Sequence, residues 1–211
     1  EIDKNNFLKK NDLIIDIGSN DGNLLSNFKD KYKVLGVTPE NIGKIAIKKG
    51  IPTIIDYFDE NIVTKILKKY KKAKIITATN VFAHITQVNK LVKNIKKCLR
   101  DDGVFISESH YLLSLIDTNQ YDTIYHEHLR YYSLQSLSFL LTKHRLEIFK
   151  AERIPTHGGS IRVYAAKKGR YKIDKSVNVV TRNELNLSKK LLKFKDRVLD
   201  SKIAFYNLIS R

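Results

Sequence analysis

The stretch Tyr121-Asp122-Thr123-Ile124-Tyr125-His126-Glu127-His128 places two histidines, a glutamate and two tyrosines in eight positions. Side chains of these types can ligate a metal, move a proton, or satisfy backbone groups in a packed loop. His126 and His128, two apart, share one side of an extended segment, as some zinc sites require. Glu127 then points the other way, and no third ligand stands at a fitting spacing, so the expectation is that no metal is held here. The remaining alternatives, proton transfer and a packed loop, stay open on these residues alone.

A second constellation lies near the start, in LIIDIGSNDGNLL, residues 13 to 25. A buried strand runs into Gly18-Ser19-Asn20-Asp21-Gly22 and then a helix, where glycines permit a tight turn and close approach to a ligand. The spacing is neither the dinucleotide fingerprint nor a P-loop, since no Gly-Lys-Ser/Thr follows. Asp16 followed by Gly18 resembles the acid-x-Gly-x-Gly-x-Gly loop of class I S-adenosylmethionine methyltransferases, with Asn20 in place of the middle glycine. In such enzymes an acid after the second strand accepts both ribose hydroxyls. Thr38 holds that position here, and Glu40 is the nearest substitute. Asp56, after the third strand, is placed for the adenine edge, and Asn80, after the fourth, completes the expected cofactor set with Asp16, Gly18, Asn20, Asp21 and Gly22.

These residues need elements to carry them. From position 13, short β-branched runs alternate with helical stretches, which predicts a parallel sheet with crossover helices. Strands are expected at Leu13–Ile17, Val34–Val37, Thr53–Ile55, Lys74–Thr77 and Val104–Glu108, and helices near Asn23–Lys31, Asn41–Lys49, Glu60–Tyr70 and Val88–Leu99. Ser133 is expected to cap a helix over Ser133–Thr142. Leu146–Ile154 and Ser160–Lys167 read as an antiparallel hairpin at the sheet edge. The whole is an α/β, doubly wound, Rossmann-like sheet with an antiparallel edge strand. Ligands of such sheets sit beyond the carboxyl ends of the strands, so His84, His110, Tyr125, Glu127 and His128 are expected to converge on one mouth. His144 reads as a solvent-exposed helix C-cap.

From Arg182 to the end, Leu187, Leu191, Phe194, Val198, Phe205 and Leu208 recur at spacings that predict one long amphipathic helix. The expected division is a remnant at 1–12, a cofactor-binding domain at 13–170, and a linker with the opening helix of a further domain at 171–211.

Composition bounds the partners. Cys98 is the single cysteine, so neither a disulfide framework nor a Cys-x-x-Cys zinc site can form from this chain. No apolar run approaches the roughly 20 residues of a membrane helix, and no leader pattern opens the sequence, so a soluble cytoplasmic protein is expected. Methionine is absent even at position 1, which reads as a piece of a longer polypeptide. The net charge is +17, carried by 39 basic residues against 22 acidic ones. The basic residues are mostly lysines in scattered pairs, such as Lys48-Lys49 and Lys96-Lys97, rather than the planar forks that read bases. They are read as a solvated surface that attracts anionic small molecules, not as a nucleic-acid footprint.

IDIGSNDG, GVTPENIGKIA, TNVFAHI, ESHYLL, YDTIYHEH and THGGSIRVYAA, in this order, together resemble the sugar C-methyltransferases, which methylate a carbon of nucleotide-linked 4-keto deoxysugars. The resemblance covers about Leu13 to Lys167. It implies S-adenosylmethionine as cofactor, a nucleotide-sugar substrate, and a base that removes the proton alpha to a keto group before methyl transfer to carbon. The Tyr-x-Glu-His pattern of the family falls on Tyr125, Glu127 and His128, with His128 as the base. Glu127 then orients it or contacts the sugar, Tyr125 stabilises enolate charge, and His84 is a further active-site histidine. His110 and the loop His157-Gly158-Gly159 are expected substrate contacts, although two glycines between strands also make a plain turn. The family's full chains carry an amino-terminal zinc-binding domain and a second carboxyl-terminal domain, neither complete in this sequence. Alternatives are an O- or N-methyltransferase for a small molecule, an RNA-binding module or RNA methyltransferase suggested by charge, and a non-catalytic remnant that binds the cofactor alone.

Overall fold

The computed structural model describes residues 7–210. Seven strands form one sheet in the order β3-β2-β1-β4-β5-β7-β6. They are β1 (Leu13–Ile17), β2 (Lys33–Thr38), β3 (Thr53–Ile55), β4 (Ala73–Thr79), β5 (Leu99–His110), β6 (Leu146–Ile154) and β7 (Ser160–Lys167). The first five are mutually parallel, and β7 inserts antiparallel between β5 and β6. The expected edge hairpin is therefore present, with its second strand inside and its first strand outermost.

The helices are α1 (Asn23–Ser26), α2 (Gly43–Lys48), α3 (Glu60–Tyr70), α4 (Val88–Cys98), α5 (Leu112–Asp117), α6 (Leu134–Lys143), α7 (Lys175–Asn183) and α8 (Leu187–Ile209). Local chemistry starts two of them. The Asp59 carboxylate accepts from Ile62 N at 2.8 Å at the head of α3, and Ser133 and Ser136 close a capping box at the head of α6. Two expectations are corrected. The stretch expected to be helical to Lys31 is α-helical only to Ser26, because the Asn27 side chain takes the Asn23 and Leu24 carbonyls and irregular turns follow. The long carboxyl-terminal helix is present as α8 and carries the whole series from Leu187 to Leu208. It starts at Leu187 rather than near Arg182, because Asn186 adopts a left-handed conformation with φ 63° and Glu184 is drawn into the core, and part of the expected linker before it is the separate helix α7.

β1, nearly all of β4 and the stretch of β5 from Gly103 to Ser109 are buried because elements pack on both sheet faces. On one face, Ile15, Ile76, Phe105 and Val163 pack with Ile66, Val92, Ile95 and Leu137 in the larger core. On the other, Ile14, Val34 and Ile75 pack with Leu25, Ala46 and Ile51 beneath α1 and α2. Each such side chain, fully buried, contributes about 1.5–3 kcal/mol. On that second face α1 and α2 contact β1, β2 and β3, while Thr77, Ile106, Glu108, Arg162 and Tyr164 of β4, β5 and β7 line an open cavity.

Candidate active site

The cavity measures about 2030 Å³ and sits at the carboxyl ends of β1, β2, β4 and β5. Its lining includes Asp16, Gly18, Asn20, Asp21, Thr38, Glu40, Asp56 and Asn80 of the expected cofactor set. Gly18 needs its missing side chain twice over. Its φ is 74°, and a Cβ there would stand 2.6 Å from Val81 Cγ2. Asn20 has φ 47°, a conformation that asparagine tolerates, which explains how it replaces a glycine. Gly22 also has positive φ, but it is buried against Ile51 and Ala46 and shapes the turn from behind.

The polar groups of the loop divide by environment. Asp16 is 4% exposed and accepts from Thr77 Oγ1 at 2.6 Å. Burial pushes its carboxyl up to about 7, only partly opposed by that hydrogen bond. Asp21 is bridged to Lys49 Nζ at 2.8 Å and accepts from Asn23 N, so its carboxyl is held low. The Thr38 hydroxyl is buried without a hydrogen-bond partner, at the strand end where ribose recognition was expected. The Asp56 carboxylate accepts from Tyr57 N at 2.8 Å. Asn80, with φ 55°, donates its backbone N–H to the Glu108 carbonyl.

A positive-φ glycine loop, an unpartnered buried hydroxyl and a carboxyl poised near neutrality suit a nucleoside ligand that carries positive charge at its far end. S-adenosylmethionine is such a ligand, and Asp16 beneath the loop would ionise more readily beside it.

The histidine segment is not extended. His126 and Glu127 form a turn closed by His128 N donating to the Tyr125 carbonyl at 3.0 Å. The expected sharing of one side by His126 and His128 is thereby corrected: His126 is exposed, and its nearest ring is Tyr125 at 6.2 Å. Glu127, expected to point away, lines the cavity with His84. Among the described residues no group of three or more His, Cys, Asp or Glu side chains is arranged around a metal position.

His128 instead sits in a ring cluster. Its centroid is 4.3 Å from Tyr125, 5.1 Å from His84 and 5.8 Å from Tyr131. Its Nδ1 lies 3.2 Å from the Thr123 carbonyl, which can only accept, so the proton is on Nδ1. The lone pair is then on Nε2, 3.1 Å from the Tyr125 hydroxyl that donates to it. Burial, and the nearby His84 and His110, hold the His128 pKa below the ordinary imidazole value despite the Thr123 hydrogen bond. The segment is strapped to the turn after β4 by His84 Nδ1 to the Glu127 carbonyl at 3.0 Å, Leu129 N to the Ala83 carbonyl at 2.9 Å, and Arg130 to the Ile85 and Thr86 carbonyls.

His110 Nε2 lies 3.0 Å from Gln120 Oε1, and Gln120 Nε2 donates to the Gly158 carbonyl at 2.8 Å. The His157-Gly158-Gly159 loop is thus tied to His110 through Gln120, with a Cβ on Gly159 excluded by Ser114 Oγ at 2.5 Å. His157 itself is exposed, with φ 51°. The expected convergence on one mouth is thereby corrected: of His84, His110, Tyr125, Glu127 and His128 only His84 and Glu127 line the large cavity, with Tyr125 and His128 packed behind them and His110 and this loop apart. His144 caps α6 as expected but is half-buried, with Nε2 3.0 Å from Asn89 Oδ1. Sequence reasoning missed Glu108, Arg162 and Tyr164 on the cavity wall. ESHYLL and GGSIRVYAA contain them, but their meeting depends on the register of strands 54 positions apart.

A parallel sheet closed by a reversed penultimate strand, with a glycine loop over a cavity at the strand ends, defines the Rossmann-like class of S-adenosylmethionine-dependent methyltransferases. Residues 3–150 match the model of the methyltransferase domain family, and the chain belongs to that family, whose methyl donor is S-adenosylmethionine. It is 35% identical over 161 residues to the C-methyltransferase NovU of Streptomyces niveus, covering 75% of this chain and 38% of that protein. The chain thus spans well under half the length of that relative. Among solved structures it is similar in fold to an S-adenosylmethionine-dependent methyltransferase from Clostridium acetobutylicum, with TM-score 0.59, 16% identity, and coverage of 75% of this chain and 85% of the other. One from Anabaena variabilis gives TM-score 0.59 and 12% identity, with coverage of 74% and 77%.

Proposed function

We propose that this domain methylates a carbon alpha to a keto group, on a nucleotide-linked 4-keto deoxysugar, with His128 as the base. The observation that carries the reading is the His128 ring: its Nδ1 lies 3.2 Å from the Thr123 carbonyl, its Nε2 3.1 Å from the Tyr125 hydroxyl, and burial holds its pKa below the ordinary imidazole value, which favours the neutral form. A neutral imidazole can accept a proton from a carbon acidified by an adjacent carbonyl. With substrate bound, the Tyr125 hydroxyl, which has one proton to donate, would turn from Nε2 to the oxygen on which enolate charge develops and so free the Nε2 lone pair. His84, its ring pinned through Nδ1 to the Glu127 carbonyl, and Glu127 itself present polar groups to the cavity where donor and acceptor meet. Bound S-adenosylmethionine supplies the electrophilic methyl group. The name of the Streptomyces niveus relative supports transfer to carbon.

The test pairs chemistry with binding. His128→Ala is expected to lower methylation by about 10²–10⁴-fold, the usual worth of a general base, with donor affinity near wild type by calorimetry. Gly18→Arg, which fills the loop beside Val81, should abolish donor binding. Substrate incubated with the wild-type chain in deuterated water, without donor, should exchange its alpha proton. An O- or N-methyltransferase would show no such exchange, and unchanged turnover in His128→Ala would sink the assignment.

A further inference from the structure

One charged constellation on the cavity wall takes no part in the chemistry above. Glu108 of β5 and Arg162 of β7 face each other across the antiparallel register. The Glu108 carboxylate, 7% exposed, accepts from Arg162 Nη2 at 2.9 Å, Arg162 Nε at 3.2 Å and Thr156 Oγ1 at 3.0 Å. Arg162 also hydrogen-bonds the Tyr164 side chain. The guanidinium is thus held from several sides while it lines the same cavity as Gly18, Asn80 and Glu127.

Cross-strand pairing alone is a poor account of this pair. Glu108 is taken out of water while the Arg162 side chain stays 36% exposed to the cavity, so the pair gains little over apolar partners joining β5 to β7. A guanidinium carries five N–H donors, of which Glu108 takes two. Its planar fork matches carboxylate and phosphate oxygens. The registers Ile17↔Ala78, Thr79↔Glu108 and Glu108↔Arg162 put Arg162 level with the glycine loop, three strands across. At about 4.8 Å per strand that is roughly 14 Å, a span suited to an extended ligand with its nucleoside at one end and an anionic group toward the other.

We propose that Arg162 binds an oxyanion of the ligand that fills this cavity, with Glu108 and Thr156 as its positioning residues. The inference rests on the function proposed above, which offers two sources of that chemistry: the amino-acid carboxylate of the methyl donor and the diphosphate of the acceptor.

Calorimetry on the wild-type chain, Arg162→Gln and Arg162→Lys with three probes tests it. S-adenosylhomocysteine carries the carboxylate, 5′-methylthioadenosine is a nucleoside thioether without it, and thymidine diphosphate carries the diphosphate. Arg162→Gln should weaken one of the two anionic probes by about 10- to 100-fold, the worth of a charge-assisted hydrogen-bonded contact, and leave 5′-methylthioadenosine unchanged. A loss confined to S-adenosylhomocysteine assigns the donor carboxylate, and one confined to thymidine diphosphate assigns the acceptor. Arg162→Lys keeps the charge without the fork and should show a smaller loss on the same probe, which covers the case of a poorly folded glutamine variant. Glu108→Gln should weaken that probe alone. If both anionic probes bind the variants as they bind wild type, while 5′-methylthioadenosine still binds, this inference falls and the proposed function stands. If none of the three binds the wild-type chain, both fall.

Discussion

Asp16 shows how one side chain can line the cavity and burden folding at higher pH. Its acid position at the end of β1 was legible because strand, glycine loop and helix follow in sequence order. Its burial and its Thr77 partner were not, because Thr77 lies 61 positions away and meets it through the β1–β4 register. The folded protein raises its pKa from 3.8 to about 7, so the folded state holds a proton that the unfolded chain releases. That contribution to stability is full below pH 3.8 and is lost as pH rises to about 7. Asp16→Asn should therefore match wild type in urea melts at pH 4 and gain on it progressively to pH 7, reaching roughly 2–4 kcal/mol and then levelling. A constant difference across that range would mean that Asp16 is ionised in the folded protein. The histidines divided in the same way. The segment that carries His128 and Tyr125 stood out by residue type, and the family pattern proposed their roles, whereas the turn that exposes His126 was hidden, since period-two reasoning presumes an extended segment.

At the scale of elements, periodicity located every strand among the described residues, while α5 and α7 were not anticipated and the other errors gathered at helix ends, where single side chains decide. Glu184 is the clearest instance. Read along the chain it is one more polar residue on a long amphipathic helix, but in the fold it is 2% exposed and ends α7. Its carboxylate accepts from the Tyr111 hydroxyl at 2.9 Å, from Gln135 N at 3.0 Å and from Leu134 N. It thereby satisfies two of the free N–H groups at the head of α6 and places negative charge at the positive end of that helix. Burial, together with Glu184, pushes the Tyr111 phenol far up, so it stays a donor. Glu184→Ala strips two buried donors and one part-buried donor of their acceptor and should cost about 3 kcal/mol, seen as a lower urea midpoint with unchanged slope. Glu184→Gln, which keeps an acceptor oxygen, should cost less than half as much. Equal losses would show that the charge rather than the hydrogen bonds holds α6 in place.

At the scale of the whole molecule, the apolar series of α8 was read as the opening helix of a further domain, and the structure gives it an anchored start and a bare remainder. Leu187 packs against the core, Lys190 pairs with Asp117 at 3.4 Å, and Arg197 donates to the Ile116 carbonyl at the end of α5. Beyond these contacts Leu199, Ile203, Phe205 and Leu208 are 48–69% exposed, and no residue of α8 is buried. Hydrophobic spacing tells which residues share a helix face but not whether anything covers that face, which is why this region was the least legible. The residues proposed for catalysis and cofactor binding all precede α8, and the two cores of the sheet body are complete without its far half. Removing residues 198–211 therefore deletes surface that contributes little to the folded state, since side chains without burial are worth under about 0.5 kcal/mol. The unfolding midpoint of the shortened chain should stay within about 2 °C of the full chain, given a shift of about 2–4 °C per kcal/mol for domains of this size. Its affinity for S-adenosylhomocysteine should be unchanged. A midpoint lower by more than about 6 °C would mean that the apolar face of α8 covers the sheet body in solution, and the cofactor cavity would then be shaped in part by that helix.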